Sequence, residues 1–375
     1  MRLALREMRR AKLRFGFLSG AVGLLVFLIL FQQTLLGTLL GYFTGALENQ
    51  SGEVVVYNEE ARQNLSGSLV SFDQIEAIAE VEGVAEVGPL GQGTFTVVAG
   101  GEEQEAAVWG YQLDGPGEPT TLVEGRLPEA DREAVASSID AAAGFDIGDE
   151  VAVAGTDVTI TVVGLASDIR FSVQPVLFVT YETWETTAEA VNPDAPLFLP
   201  SAALVHTVDG VDAVDLATLI TREVDGVEAL DRAAAVDSLP GVEAVSQSFA
   251  LILLLAFIVV TLVVGFFFLI ITVQKLPALG LLKALGQSTS SLVLSVSLQV
   301  LTVCVGGVVI GALLLVGAGQ ASGDSFPISA DPGLIVTTGS IVVGLALLAS
   351  IGSLRRVARL DATTVVGRQN LGGLE

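Results

Sequence analysis

Gln274-Lys275-Leu276-Pro277-Ala278-Leu279-Gly280-Leu281-Leu282-Lys283-Ala284-Leu285-Gly286-Gln287-Ser288 lies between two long apolar runs, Ala250–Val273 and Leu292–Gly319. Pro277 can open a helix, because its missing N–H would be unpaired there anyway, and Gly286 can close one by turning left-handed. The spacing predicts a short helix of about two and a half turns, with Leu281 and Leu285 on one face and Lys275 and Lys283 at its edges. A short capped helix held between membrane spans is a mechanical part. It can take a push from a soluble motor and pass it to the spans.

Working outward, four uncharged stretches raise the mean hydropathy to +0.67: Phe15–Leu47, Ala250–Val273, Leu292–Gly319 and Gly333–Leu354. Each is long enough to cross a hydrocarbon core, which takes about 20 helical residues. The first is too long for the apolar region of a signal peptide and reads as a retained span. As a helix it covers roughly 50 Å, so it continues beyond the bilayer.

Lysine and arginine set the expected orientation. Arg2, Arg6, Arg9, Arg10, Lys12 and Arg14 precede the first run; Lys275 and Lys283 follow the second; Arg355, Arg356, Arg359 and Arg368 follow the fourth. Gln320–Pro332 has Asp324 and Asp331 and no base. Both termini are therefore expected in the cytoplasm, in a multi-pass cell-membrane protein. The net charge of −24 hides two populations, since residues 48–243 hold 37 acids against 6 bases. An acidic outer domain repels polyanions, which excludes nucleic acid as a partner. Its plain reading is a solvated surface. The single cysteine, Cys304, allows no intrachain disulfide.

The expected order is a cytoplasmic arm (1–14), a first span with stalk (15–47) and an extracytoplasmic domain (48–245) with a β-rich insert over about 112–200. A second span (246–273), a coupling helix (274–288), a third span (291–319), an outer loop (320–332), a fourth span (333–354) and a cytoplasmic tail (355–375) follow. The fold class is membrane α-helical: four transmembrane helices with an α+β extracytoplasmic domain inserted between helices 1 and 2. Two segments of that domain repeat one plan. Phe72–Val87 reads as an N-capped amphipathic helix, a turn at Gly83 and a strand; Leu216–Leu230 repeats it with a turn at Gly226. Further strands are expected at Val54–Tyr57, Thr94–Val98, Ala106–Tyr111, Val151–Ala154, Val158–Val163 and Val176–Thr180. A helical return over 231–249 leads into the second span.

Gly37, Gly41 and Gly45 fall four apart near the outer end of the first span. They line one groove of a helix and admit another helix closely, either a second copy at a dimer seam or the second span. Gly307 and Gly311 are a weaker instance. Catalysis has little support: no phosphate-cradling loop ending in Gly-Lys-Ser/Thr exists, and the dispersed carboxylates single out no acid–base pair. His206 sits in a strand-like stretch, and an Asp168–Arg170 pair would be exposed and weak. No catalytic or metal-binding residue is expected. The spans carry no charged residue, which argues against an ion-coupled carrier. Energy must come from a separate ATPase, docked on Leu281 and Leu285; the plain alternative is a helix lying on lipid headgroups.

Gln274–Ser288 is similar to the coupling-helix pattern of the FtsX-like permease family, which includes macrolide exporters, lipoprotein-release permeases and haem exporters. Leu276 and Pro277 stand where many members have Arg-Glu. Glu124-Gly125-Arg126-Leu127-Pro128, Phe145-Asp146-Ile147-Gly148-Asp149-Glu150-Val151 and Val162-Val163-Gly164-Leu165 resemble its periplasmic core domain, and Arg355–Ala362 resembles its closing motif. The resemblance implies an ABC transporter permease that is not itself an enzyme: a homodimer in membrane lipid, paired with two copies of an ABC ATPase and working by mechanotransmission. The ATPase-coupling residues it implies are Lys275, Leu279, Leu281, Leu282, Lys283 and Leu285. Leu13-Arg14-Phe15, Val54-Val55-Val56-Tyr57 and Leu65-Ser66-Gly67-Ser68 look most like the haem-exporter branch. That branch implies haem as a substrate in efflux, with no covalently bound cofactor. Tyr42 or Glu48 would then supply the oxygen ligand, with Phe43 or Phe249 covering the ring. Tyr42 alone also reads as an interfacial anchor. The alternatives are a lipid, lipoprotein or peptide-antibiotic extruder, or a transmembrane regulator of an extracytoplasmic hydrolase.

Overall fold

The computed structural model describes residues 12–195, 197–284, 288–322 and 331–358. In chain order the helices are α1 (Lys12–Glu48), α2 (Phe72–Ala79), α3 (Tyr181–Val191), α4 (Ala213–Glu223), α5 (Arg232–Ser238), α6 (Val242–Ala284), α7 (Thr289–Ser322) and α8 (Pro332–Ala358). The strands are β1 (Val54–Asn58), β2 (Val84–Ala99), β3 (Glu102–Tyr111), β4 (Leu122–Gly125), β5 (Glu133–Ser137), β6 (Glu150–Val153), β7 (Thr159–Ala166), β8 (Val176–Thr180), β9 (Ala202–Thr207) and β10 (Val227–Asp231). Two compact units result: an outer unit, Thr38–Ser246, and a membrane unit that takes the chain up to Gly37 and again from Gln247.

The membrane unit holds the four apolar helices, with candidate spans Phe15–Glu48, Val242–Gln274, Val293–Ala321 and Pro332–Ile351. Val22, Val26 and Ile29 of α1 share one buried cluster with Val264 and Phe268 of α6, Cys304 of α7 and Ala346 of α8. Lipid is as apolar as these side chains, so close packing has to hold the bundle. Glycine provides it on α7. A Cβ on Gly307 would lie 2.5 Å from Val22 Cγ1, and one on Gly311 2.8 Å from Val26 Cγ1. The glycine pair that is the weaker in sequence therefore sets the approach of α7 to α1. Gly307→Leu should force the two apart at a cost of about 1–3 kcal/mol. Thiol labelling of Cys304, fully buried in wild type, should rise in that variant; unchanged labelling would show that α7 packs elsewhere.

α6 differs from expectation. It runs unbroken through Pro277 to Ala284, so no separate short helix begins there. Proline withdraws one backbone donor, a loss that a long helix on both sides can carry. Only the backbone of 275–284 is described, and Leu285 and Gly286 lie outside the described residues.

The outer unit is one ten-stranded sheet in the order β10-β1-β9-β2-β3-β8-β5-β7-β4, with β6 pairing both β2 and β7. β2 belongs to both halves: Val84–Leu90 pairs antiparallel with β9, and Leu90–Ala99 with β3. In the open half, alternation splits β1 between two cores. Val54 and Val56 face α2 and α4 through Ile78, Leu216 and Ile220; Val55 and Tyr57 face the other core. The two repeated helix–strand units thus cover one side of one sheet, as their sequences predict. Gly83 (φ 98°) and Gly226 (φ 74°) make the left-handed turns after the two helices.

The other half closes on itself. β2-β3-β8-β5-β7-β6 form a ring, since β6 bonds to both its ends. All six strands give alternate residues to one interior, among them Val97, Val108, Leu177, Ala134, Ile160 and Val151. The β-rich insert over 112–200 is therefore not a separate body, because it borrows β2 and β3 to finish its barrel. β5 was not legible: Ala134, Val135 and Ala136 have weak strand propensity, and pairing with β7 and β8 overrides it.

Candidate functional site

The outer end of α1 belongs to the outer unit, and the loop 167–174 between β7 and β8 closes over it. Ala46 N–H donates to Arg170 O (3.0 Å), while Tyr42 O accepts from Val173 N–H (2.8 Å) and Phe43 O from Ser172 N–H (3.2 Å). Tyr42 C=O and Ala46 N–H are groups that a plain helix pairs with each other; here both bond to the loop. Asn49 Nδ2 adds a bond to Asp168 O (2.7 Å). Asp168 (φ 55°), Ser172 (φ 50°) and Val173 (φ 69°) are left-handed, which for a β-branched valine stores about 1–3 kcal/mol of strain. The loop holds that shape because the helix end bonds to it.

Gly45 makes the approach possible. A Cβ there would lie 2.3 Å from Asp168 O and 2.9 Å from Asp168 C. Gly45 thus packs against its own outer unit, a contact that the glycine spacing does not announce. Nothing lies within 4 Å of a Cβ added to Gly37 or Gly41.

Arg170 anchors the loop from both sides. Its Nε donates to Asp140 Oδ2 (3.0 Å) and its Nη2 to Asp140 Oδ1, a bidentate pair. Its Cζ stands 4.9 Å from the centre of the Tyr42 ring, a cation–π distance. Asp140 is only 4% exposed. The expected Asp168–Arg170 pair is thus replaced by a buried Asp140–Arg170 pair, which sequence could not single out among 37 acids. The legible signal was the scarcity of bases, six in the whole domain.

Beside this anchor is a cleft of ≈ 290 Å³ lined by Phe43, Leu65, Phe171, Leu239 and Val242, with Asn64 and the two serines Ser66 and Ser172 as polar edges. Of the expected substrate residues only Phe43 lines it. Tyr42 is half-buried with Arg170 over its ring, and Glu48 is exposed at the helix end. Phe249 is half-buried on α6 in the membrane unit, where its carbonyl accepts from Gln32 Nε2 (3.1 Å). The expected coupling residues Lys275, Leu279, Leu281, Leu282 and Lys283 lie in the last turns of α6. His206 lies in β9, as expected of a strand residue, with Nε2 3.3 Å from Ser51 Oγ and Nδ1 3.5 Å from Glu86 Oε2. Ser51 Oγ already accepts from Gly117 N–H (2.9 Å), which gives it a structural task. Among the described residues no group of three His, Cys, Asp or Glu is arranged to hold a metal ion.

Two family descriptions match the chain: a MacB-like periplasmic core domain over residues 19–223 and an FtsX-like permease C-terminal region over residues 250–362. Among similar proteins, a permease of Staphylococcus haemolyticus assigned to a hemin transport system, HrtB, is 22% identical over 98% of this chain and 99% of its own length. An uncharacterised ABC transporter permease of Mycobacterium tuberculosis is 25% identical over 97% of this chain and 98% of its own. Among solved structures, the periplasmic region of MacB from Actinobacillus actinomycetemcomitans aligns with 51% of this chain and 92% of its own, at 15% identity and a TM-score of 0.36.

Proposed function

Because this chain belongs to the FtsX-like permease family and carries a MacB-like periplasmic core domain, we propose that it is the permease of an export system driven by mechanotransmission. That it is an ABC transporter permease, and so works with an ATPase partner, follows from the family. The finer reading is ours. Two copies of this chain pair with two ATPase subunits, both termini lie in the cytoplasm, and closure of the paired α1 helices moves the outer domains.

The observation that carries this reading is α1. It is a single helix from Lys12 to Glu48, and its last turns exchange backbone bonds with the loop 167–174. A helix runs about 1.5 Å per residue, so a displacement at its inner end has an unbroken rod to travel along. Gly37 and Gly41, with open space beside them, supply a face on which a second α1 can close. ATPase docking on the end of α6 is tested by Leu281→Asp and Leu285→Asp. Each should abolish co-purification of the ATPase while leaving the membrane insertion of the permease intact; retained co-purification would remove the docking assignment.

Haem is the substrate we assign, supported by near full-length similarity to a permease assigned to hemin transport. At ≈ 290 Å³ the cleft lies at the lower limit of ligand pockets, so a porphyrin would be shared with the second copy. Phe43 and Phe171 offer it ring contacts. With Arg170 over Tyr42, the exposed Glu48 is the freer oxygen donor to iron. In titrations followed by the Soret band, Tyr42→Phe should bind haem as wild type does and Glu48→Ala should bind it at least tenfold more weakly. No Soret change with wild type would exclude haem.

A further inference from the structure

A second cleft lies on the far side of the outer domain, where the open half of the sheet meets the barrel, and the candidate site above does not use it. It encloses ≈ 610 Å³, within the range of small-molecule sites. Its floor is apolar and aromatic: Phe72 at the start of α2, Tyr111 at the end of β3 and Leu113 just after it, and Tyr181 at the start of α3. Phe72 is 45% exposed and meets Tyr181 edge-on at 6.2 Å. Tyr111, which lines the same cleft, is by contrast 2% exposed.

The rim is acidic. Glu129 and Asp131 come from the segment before β5, and Glu182 and Glu185 stand three apart on the first turns of α3. No base is among the residues that line the cleft. Arg126 is paired with Glu133 (Nη1 to Oε2, 2.6 Å), and Arg132, which follows Asp131, is exposed. Asp131 is held in place by Thr180 Oγ1, which donates to its Oδ1 (2.5 Å). The Tyr181 hydroxyl is enclosed and has no hydrogen-bond partner among the described residues. Burial, with Glu185 adding to it, pushes ionisation of Tyr181 upward, so the hydroxyl stays protonated.

We propose that this cleft binds amphiphilic organic cations, small molecules that carry an ammonium, phosphonium or guanidinium charge on an apolar or aromatic body. Charge complementarity selects them: four carboxylates beside aromatic rings, with no base among the lining residues, repel anions and offer cations both a counter-charge and ring faces. A bare metal ion fits poorly, because no three acidic side chains among the described residues converge as ligands. The carboxylates are spread, as suits a cation whose charge is spread over a body of comparable width. The site is separate from the cleft beside α1, and its assignment does not depend on the exported cargo.

The test uses tetraphenylphosphonium against tetraphenylborate, which have nearly the same shape and opposite charge. Trp184 lies 5.2 Å from Tyr181, ring centre to ring centre, and reports binding by fluorescence. With the full-length permease in nanodiscs, the phosphonium should give a saturable change and the borate none. Glu182→Gln combined with Glu185→Gln should weaken phosphonium binding about tenfold. Glu189→Gln, an exposed acid on the same helix outside the cleft, should leave it unchanged and controls for bulk charge. Near-UV circular dichroism of the double variant establishes that it is folded. Equal responses to both ions, or a folded double variant that binds as wild type does, would overturn the proposal.

Discussion

Asp140→Ala should lower the stability of the outer domain by about 3 kcal/mol, the lower part of the range for one partner removed from a buried ion pair. The carboxylate is 4% exposed and the Arg170 side chain 21%. Without Asp140 the guanidinium loses a bidentate partner in a place where water replaces it incompletely. Arg170 also covers the Tyr42 ring, so the defect should spread to the attachment of α1. Both tryptophans, Trp109 and Trp184, are buried in the outer unit, and fluorescence melts of the full-length protein therefore read this unit alone. Arg170→Lys keeps the charge but not the fork, and should fall between wild type and Asp140→Ala. Pairing Asp140→Ala with Arg170→Met removes the stranded charge and should recover most of the stability without recovering coupling between ATP hydrolysis and export. An Asp140→Ala melt superimposable on wild type would mean that the pair does not hold the loop.

Gly45→Ala and Gly41→Leu should separate two roles that the sequence runs together. A single methyl on Gly45 points at the Asp168 peptide, 2.3 Å from its oxygen, and backbone at that distance has to move. The loop would lift from α1 and lose its bonds to Tyr42, Phe43 and Ala46. Overpacking and the lost bonds together should cost about 2–4 kcal/mol. A Cβ on Gly41 has nothing within 4 Å among the described residues, so the melt of Gly41→Leu should stay within about 0.5 kcal/mol of wild type. If paired α1 helices close as proposed, its effect should fall on export, by holding them apart. Full export by Gly41→Leu would reject the closure seam; a wild-type melt for Gly45→Ala would reject the loop as an anchor.

Much of the architecture was open to reading before any coordinate. Four uncharged runs of sufficient length can do little else but span, because a bilayer leaves an apolar helix no better place. The repeated helix-Gly-strand units were equally legible, since an N-cap, an apolar face and a glycine turn are all local signals. The ring closure was not: β6 meets β2 across more than fifty residues of chain, and no local pattern records which distant edge a strand finds. Nor did local pattern distinguish Gly45 from Gly41. Both sit on one helical groove, and only the fold brings the Asp168 carbonyl to one of them.

The sequence by itself determined the spans, the acidic outer domain between the first two of them, and membership of a permease family. The first two follow from composition and short-range periodicity, which each segment carries alone; the third rests on a resemblance of motifs. Tertiary structure alone decided that Arg170 pairs with Asp140 instead of Asp168, that a strained loop grips the end of α1, and that an acidic aromatic cleft forms between sheet and barrel. Each of these depends on groups far apart in the chain, whose meeting is fixed by how the sheet closes.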